Sequence, residues 1–127
     1  MKSAKARRQR EFRYNAPLHL RQHFVHAHVS KELKAKLGLK LRSIRVAAGD
    51  TVKVVRGKYK GKTGKVSSVD LKTSSIYLDN IKVKNARGKE HNIPIRCNNA
   101  YITDLNLSDK SRESRILHNG DLVGKKR

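Results

Sequence analysis

The sequence predicts a small, mainly β protein with a basic N-terminal arm and a short basic C-terminal tail. Between residues 44 and 107, β-branched residues come in short groups, and glycine, aspartate, asparagine or serine separate the groups. This pattern is typical of about five or six short strands folded into a small antiparallel barrel. Residues 1–43 are strongly cationic and poor in apolar residues, so they predict an arm, and residues 108–127 predict the tail.

The predicted strands rest on apolar positions that recur between turn residues. These positions are Val52 and Val54, Val66, Val69, Ile76 and Leu78, Ile81 and Val83, Ile93 and Ile95, and Ile102 and Leu105. The turn residues lie at 49–50, 57–64, 70–74, 87–88 and 97–99. A barrel of roughly 60 residues buries only about 60% of its unfolded surface. We therefore expect contact with a partner to contribute to its effective stability.

The arm is predicted to carry two short helices. Pro17 suits the first position of one helix, and Leu20, Phe24 and Ala27 then give one narrow apolar face at helical spacing. Ser30 is suited to cap a second helix, Lys31 to Leu37, which Gly38 would end. Because so cationic a segment repels itself in water, we expect the arm to become ordered on its partner.

The tail is predicted to form one helical turn around residues 110–117. It then ends in a loose basic segment, residues 124–127.

The net charge indicates a polyanionic partner. The chain has 31 Lys and Arg residues against 10 Asp and Glu residues, a formal charge of +21, and nucleic acid is the first candidate. A single cysteine, Cys97, excludes an intramolecular disulfide and fits a reducing compartment. No apolar run approaches the ~18 residues of a membrane span, and the N-terminus lacks the apolar stretch of a secretory signal. Its arginines leave a mitochondrial transit peptide open.

A lysine-rich loop at residues 56–65 is the sharpest single motif. Lys58, Lys60 and Lys62 alternate, so an extended loop would place them on one face with Tyr59 on the other. Glycines at 57, 61 and 64 permit positive φ and leave the backbone open to phosphate. The alternative to a nucleic-acid contact is a solvated hairpin whose lysines only keep the protein soluble. Tyr59 would either stack on a base or pack against the rim of the barrel.

Nucleotide hydrolysis, metal binding and catalysis find little support. The loop is one residue short of a P-loop, and a valine strand follows it instead of a helix. His19, His23, His26 and His28 crowd one predicted helix, but a structural zinc site needs four ligands, usually including cysteines. Imidazoles that hydrogen-bond to RNA fit this stretch better. The scattered carboxylates form no acid/base pair, so we expect neither an enzyme nor a cofactor.

Residues 50–77 resemble a KOW motif, the small β-barrel module of ribosomal proteins and of transcription elongation factors of the NusG/Spt5 type. The resemblance rests on Asp50-Thr51-Val52, Lys60-Gly61-Lys62 and Gly64-Lys65-Val66. Residues 8–21, 30–33 and 104–110 extend it to roughly residues 3–118. Over that length the chain resembles the archaeal and eukaryotic form of the universal KOW-containing large-subunit ribosomal proteins, numbered twenty-four in bacteria and twenty-six in eukaryotes.

This resemblance implies an SH3-like barrel at residues 44–107 docked on ribosomal RNA of the large subunit. It also implies early action in subunit assembly, a position near the nascent-chain exit, neighbouring ribosomal proteins as partners and a cytoplasmic location in the ribosome. Neither a membrane nor a small-molecule substrate is expected. The candidate RNA-binding residues are Arg7, Arg8, Arg10, Arg13, Tyr14, Asn15, His19 and Arg21 in the arm, and Arg56, Lys58, Tyr59, Lys60, Lys62 and Lys65 in the loop.

Two other classes remain open at the level of sequence. A KOW-type RNA-binding transcription or processing factor would be expected to carry a NusG-like domain, for which this chain has no room. A module for acidic proteins or anionic membranes would need a wider apolar helix face than residues 17–28 offer.

Overall fold

A seven-stranded mixed β-sheet organises residues 3–122, the part of the chain that the computed structural model describes; side chains are described up to residue 117. The helices are α1 (Ala6–Asn15), α2 (Leu18–Arg21), α3 (Lys31–Leu37) and α4 (Lys110–Leu122). The strands are β1 (His26–Val29), β2 (Ser43–Arg45), β3 (Thr51–Val54), β4 (Thr63–Asp70), β5 (Ser75–Leu78), β6 (Lys82–Lys84), β7 (Glu90–Asn92), β8 (Ile95–Arg96) and β9 (Ala100–Asp104). Short 3-10 turns lie at Gln22–Phe24 and Cys97–Asn99.

The strand order in the main sheet is β2-β1-β9-β3-β4-β5-β8, and β6 and β7 form a separate hairpin. The prediction of a mainly β protein is confirmed. Between residues 44 and 107 the strands pair with one another only in the antiparallel sense, as expected. The sheet is mixed because β1, from the segment predicted to be helical, runs parallel to β9, with His28 opposite Tyr101. The residues between 29 and 100 provide ample chain for the crossover that parallel neighbours require.

The core lies on one side of these strands and follows their period of two. In β3, Val52 and Val54 are buried whereas Lys53 is exposed, and in β9 Ala100 and Ile102 are buried whereas Tyr101 is not. The same cluster includes residues from the N-terminal segment, notably Val25, Ala27, Val29 and Leu33. Residues from both sides of position 43 therefore share one apolar core.

The N-terminal segment differs from its predicted form after Phe24. The expected helix would reach Ala27, but His26–Val29 form β1, in which Ala27 pairs with Ile44 of β2. The reason is burial at a period of two: Ala27 and Val29 both enter the core. The four histidines consequently do not share one helix.

Helix α3 has the end signals that its sequence indicates. The Ser30 side chain accepts a hydrogen bond from the Leu33 N–H at 3.2 Å, and Gly38 ends the helix in the left-handed region, at φ 60°. Helix α1, by contrast, corresponds to no predicted element. It has no buried residue, and Phe12 anchors it by an edge-to-face contact with Phe24 at 6.1 Å between ring centroids.

Helix α4 extends beyond the single turn expected around residues 110–117 and reaches Leu122. Residues 123–127, which include the predicted loose end of the tail, lie outside the described part of the chain.

A buried ion pair fixes α4 to the sheet. Asp50, fully buried before β3, accepts two hydrogen bonds from the Arg112 guanidinium, both at 2.7 Å. The Asp50 carboxylate also accepts hydrogen bonds from the backbone N–H groups of Ala47 at 2.8 Å and Asn106 at 2.9 Å. Arg112 in turn donates to the carbonyl oxygens of Asn106 and Arg45. This bidentate geometry satisfies a carboxylate that would otherwise be costly to bury.

Replacing Asp50 with asparagine should destabilise the protein by about 3 kcal/mol, because Arg112 loses its counter-charge in a largely buried site. Urea unfolding measures the change. Lys84→Ala is the matched control, since the 3.5 Å pair between Lys84 and Glu90 is exposed. Breaking that pair should cost no more than about 1 kcal/mol. Equal unfolding midpoints for the two variants would contradict the anchoring role of Asp50.

Candidate nucleic-acid interface

The lysine-rich loop joins β3 to β4 as a series of tight turns. The Gly61 N–H donates to the Val54 carbonyl at 2.8 Å, and the Val54 N–H donates to the Lys62 carbonyl at 2.9 Å, so the base of the loop is closed. Gly57 and Gly61 have φ values of 97° and 88°, which side chains rarely permit. The loop is therefore a fixed scaffold whose shape depends on these two glycines.

Gly64 has a different role from the one expected of it. It lies within β4 rather than at a positive φ, and the Asn80 side chain occupies the space that a Cβ atom on Gly64 would need. Asn80 also donates to the Thr63 carbonyl. Gly64 thus permits close packing at the start of β4.

The predicted alternation of lysines and Tyr59 on opposite faces is wrong, because the loop turns instead of running extended. The ammonium groups of Lys58 and Lys62 lie 6.0 and 5.5 Å from the centre of the Tyr59 ring. Such cation–π contacts are worth about 0.5–1 kcal/mol at exposed sites. Tyr59 is half-buried and packs against the core, which favours the rim-packing alternative. Its ring holds two cations in place at the surface.

The predicted RNA-binding cations in and next to the loop are presented to solvent. Arg56, Lys58, Lys60 and Lys62 in the loop are exposed, and so is Lys65, which lies on β4 opposite Thr51. With no acidic residue between positions 51 and 69, this part of the surface has a strong positive potential.

In the arm, α1 presents a second cationic face. Arg7, Arg10 and Tyr14 share one side of the helix by their spacing, and all three are exposed, Tyr14 by 80%. The opposite side carries Phe12, which contacts Phe24. Arg8, Asn15 and His19 are also exposed. The exposed face of α1 therefore combines guanidinium groups with an aromatic ring.

Two of the arginines that are predicted to bind RNA donate hydrogen bonds within the protein. Arg21 donates to the carbonyl oxygens of Ala16 at 2.7 Å and Tyr14 at 2.6 Å, so it stabilises the turn between α1 and α2. Arg13 donates to the Ser74 hydroxyl at 3.3 Å and lies 5.7 Å from the centre of the Phe24 ring. Arg13 therefore positions the arm on the sheet, whereas Arg21 acts within the arm.

The two groups of nominated residues lie near opposite ends of β4. The loop precedes this strand, and Arg13 reaches Ser74 in the turn that follows it. At about 3.3 Å per residue, a strand of eight residues spans roughly 25 Å. The arrangement offers two separated cationic contacts rather than one continuous patch.

Sequence reasoning missed an aromatic position beside the loop. Tyr101 on β9 is 42% exposed, and its ring meets His28 edge to face at 5.9 Å. Exposed Lys53 pairs with Tyr101 across β3 and β9. The signal in the sequence was the position of Tyr101 between two buried residues, but its neighbours come from strands distant in the chain.

Other chemistry finds no support among the described residues. In that part of the chain, no group of three or more His, Cys, Asp or Glu side chains could hold a metal ion. Burial raises the pKa of the Cys97 thiol to about 11, so it stays protonated near neutral pH and is a poor nucleophile. None of the described helices is both long enough and apolar enough to span a membrane.

Comparison with known proteins decides the family. Residues 3–119 match the family that comprises the eukaryotic ribosomal proteins L26 and their archaeal equivalents. The chain belongs to this family. The expectation of a structural ribosomal protein without enzymatic activity is thereby confirmed.

Curated relatives cover nearly the same length. The large ribosomal subunit protein uL24 of Methanospirillum hungatei is 48% identical over 90% of this chain and 93% of its own. The uL24 proteins of Methanosarcina barkeri and Methanocella arvoryzae are 47% and 44% identical, over 91% and 90% of this chain and 98% and 90% of theirs.

Stability should decrease when the pH falls below 6.5, because of His26. Burial, followed by repulsion from His23 and Arg45, lowers the pKa of His26 from its ordinary value of 6.5. The folded protein therefore binds this proton less readily than the unfolded chain, and acid favours unfolding. Between about pH 7.5 and about pH 5, His26→Gln should lose less stability in urea than the original protein.

His91→Gln is the matched control, because His91 is exposed on β7. This control should keep the pH dependence of the original protein. An unchanged pH dependence in His26→Gln would contradict the assignment.

Proposed function

We propose that this protein binds ribosomal RNA of the large subunit through its two cationic regions and serves as a structural constituent of that subunit. The main support for this proposal is the loop of exposed lysines, whose shape depends on two glycines at positive φ. The chain also belongs to a ribosomal protein family. Ammonium groups on a preformed loop lose little entropy when they neutralise phosphates.

The three segments of the chain divide this work. In our proposal, residues 44–107 form an SH3-like barrel that is the rigid platform, residues 1–43 are an RNA-binding arm, and residues 108–127 are a basic tail. Supporting this division, the loop arises within the central segment, and α1 contributes cations without contributing buried residues.

The nominated residues fall into contact and support roles. Arg56, Lys58, Lys60, Lys62 and Lys65 neutralise phosphates of one RNA segment. Arg7, Arg8, Arg10, Tyr14, Asn15 and His19 contact a second segment, in which an unpaired base can stack on Tyr14. Arg13, Arg21 and Tyr59 also support these contacts, because each has partners within the protein.

A binder that bridges two RNA segments fits an early role in assembly, since it restricts how those segments fold. We further propose that the surface left free of RNA faces neighbouring ribosomal proteins and lies near the nascent-chain exit. This location rests on the resemblance to the family alone.

The salt dependence of RNA binding tests the loop. Changing Lys58, Lys60 and Lys62 together to alanine should weaken binding of large-subunit ribosomal RNA. It should also reduce the slope of log affinity against log salt by about 2, since each phosphate contact contributes ~0.7–0.9. Filter binding over a salt series measures both quantities.

The matched control is the triple change of Lys31, Lys36 and Lys40 to alanine. It removes the same charge from exposed positions on or next to α3. If both triple variants change the slope equally, the loop acts only through net charge and the proposed contact is wrong.

A further inference from the structure

A groove lies between the β1–β2 edge of the sheet and α4, and none of the predicted RNA-binding residues lines it. Its volume is about 580 Å³, within the range of roughly 300–1,000 Å³ that is typical of small-ligand sites. Leu41, Ile44 and Ile116 supply apolar surface, and Ile44 and Ile116 are core residues. The groove therefore has room and an apolar lining for a planar group.

The rim of the groove is cationic. Arg45, Arg112 and Arg115 line it, against the single acidic residue Asp109. Asp50, which lies behind the groove, neutralises Arg112, so the guanidinium groups of Arg45 and Arg115 exceed Asp109 by one positive charge. Both of these arginines are exposed.

Arg45 is held in position before any ligand arrives. Its guanidinium donates to the Gln22 side-chain carbonyl at 2.6 Å, which links β2 to the 3-10 turn at the end of the groove. A guanidinium with a fixed orientation offers its remaining N–H groups to phosphate at a low cost in entropy.

Two histidines complete the site. His23 and His26 line the same groove, with His23 exposed and His26 half-buried. Burial first, and then the nearby His23 and Arg45, lower the pKa of His26, so these three side chains lie close together at one end of the groove.

We propose that this groove binds one unstacked nucleotide of ribosomal RNA, with the base against Ile44 and Ile116 and its phosphate against Arg45 and Arg115. This inference rests on the proposed function, and it adds a third contact that reads a single-stranded position. An apolar floor with cationic edges matches the two chemical halves of a nucleotide. Proteins commonly recognise RNA through bases that have left the helix.

Introducing a negative charge at Ala48 tests the groove without changing its arginines. Ala48 is exposed and lines the groove. Ala48→Glu should weaken binding of large-subunit ribosomal RNA roughly tenfold, through repulsion of the phosphate. Ala48→Gln controls for size, and Ala35→Glu makes the same charge change at an exposed position on α3. Both controls should change the affinity less than about twofold.

Protection of His23 and His26 from diethylpyrocarbonate gives a direct second readout. In the complex of the intact protein with large-subunit ribosomal RNA, mass spectrometry should find both histidines protected. Ala48→Glu, measured at an RNA concentration that saturates it, should lose this protection, whereas Ala35→Glu should keep it.

The outcomes separate the two proposals. If the original protein fails to bind RNA, the proposed function itself is wrong. If RNA binds, the lysine-loop variant weakens it and Ala48→Glu behaves like Ala35→Glu, the loop contact stands and the groove proposal is overturned. Protection of the histidines in the assembled subunit, but not in the binary complex with RNA, would also overturn it and would indicate a neighbouring protein as the occupant.

Discussion

The Asp50 carboxylate is the point on which the arrangement of this protein depends. It is fully buried, and its hydrogen-bond donors come from three places: Ala47 before β3, Asn106 after β9, and Arg112 on α4. Arg112 extends the same network to the Arg45 carbonyl on β2. Separating any of these segments would leave a buried charge short of partners, which is strongly unfavourable. The network therefore fixes α4 against the sheet and forms one wall of the groove.

The strands that could be predicted are those with local patterns. In β3, β5 and β9, β-branched and apolar residues recur between clear turn signals, so their existence follows from the sequence. Strand β1 could not be recognised, because a run as short as His26–Val29 also fits one helical turn and its parallel partner β9 lies far along the chain. Helix α1 was not predicted because it buries no residue, so the sequence has no apolar face at helical spacing there. Its formation depends instead on residues with high helix propensity. The pairing of Asp50 with Arg112 was out of reach for the same reason as β1: nothing local joins positions 62 residues apart.

The sequence predicted which residues form the candidate interface, but not which of them face solvent and which bind other parts of the protein. Composition and the glycine spacing identified the loop, but only tertiary contacts separate the exposed Arg7 and Arg10 from Arg13 and Arg21, which donate to the protein itself. Tyr101 and the groove could not be predicted, because the residues that surround them are far apart in the sequence. The result is a division of labour between two cationic regions, one in the loop before β4 and one in the arm that reaches the turn after β4 through Arg13. Strand β4, which lies between β3 and β5 in the main sheet, connects the two regions.

The central claim is that this sheet, including β1, exists before RNA binds. Amide hydrogen exchange on the RNA-free protein tests it most directly. The Val29 N–H donates to the Arg42 carbonyl and the Ser30 N–H to the Ile102 carbonyl. If β1 is an integral strand, both amides should exchange as slowly as those of β3 and β4, because they open only with the sheet. Rapid exchange at Val29 and Ser30 beside slow exchange in β3 and β4 would contradict the claim and would mean that the N-terminal segment orders only on RNA.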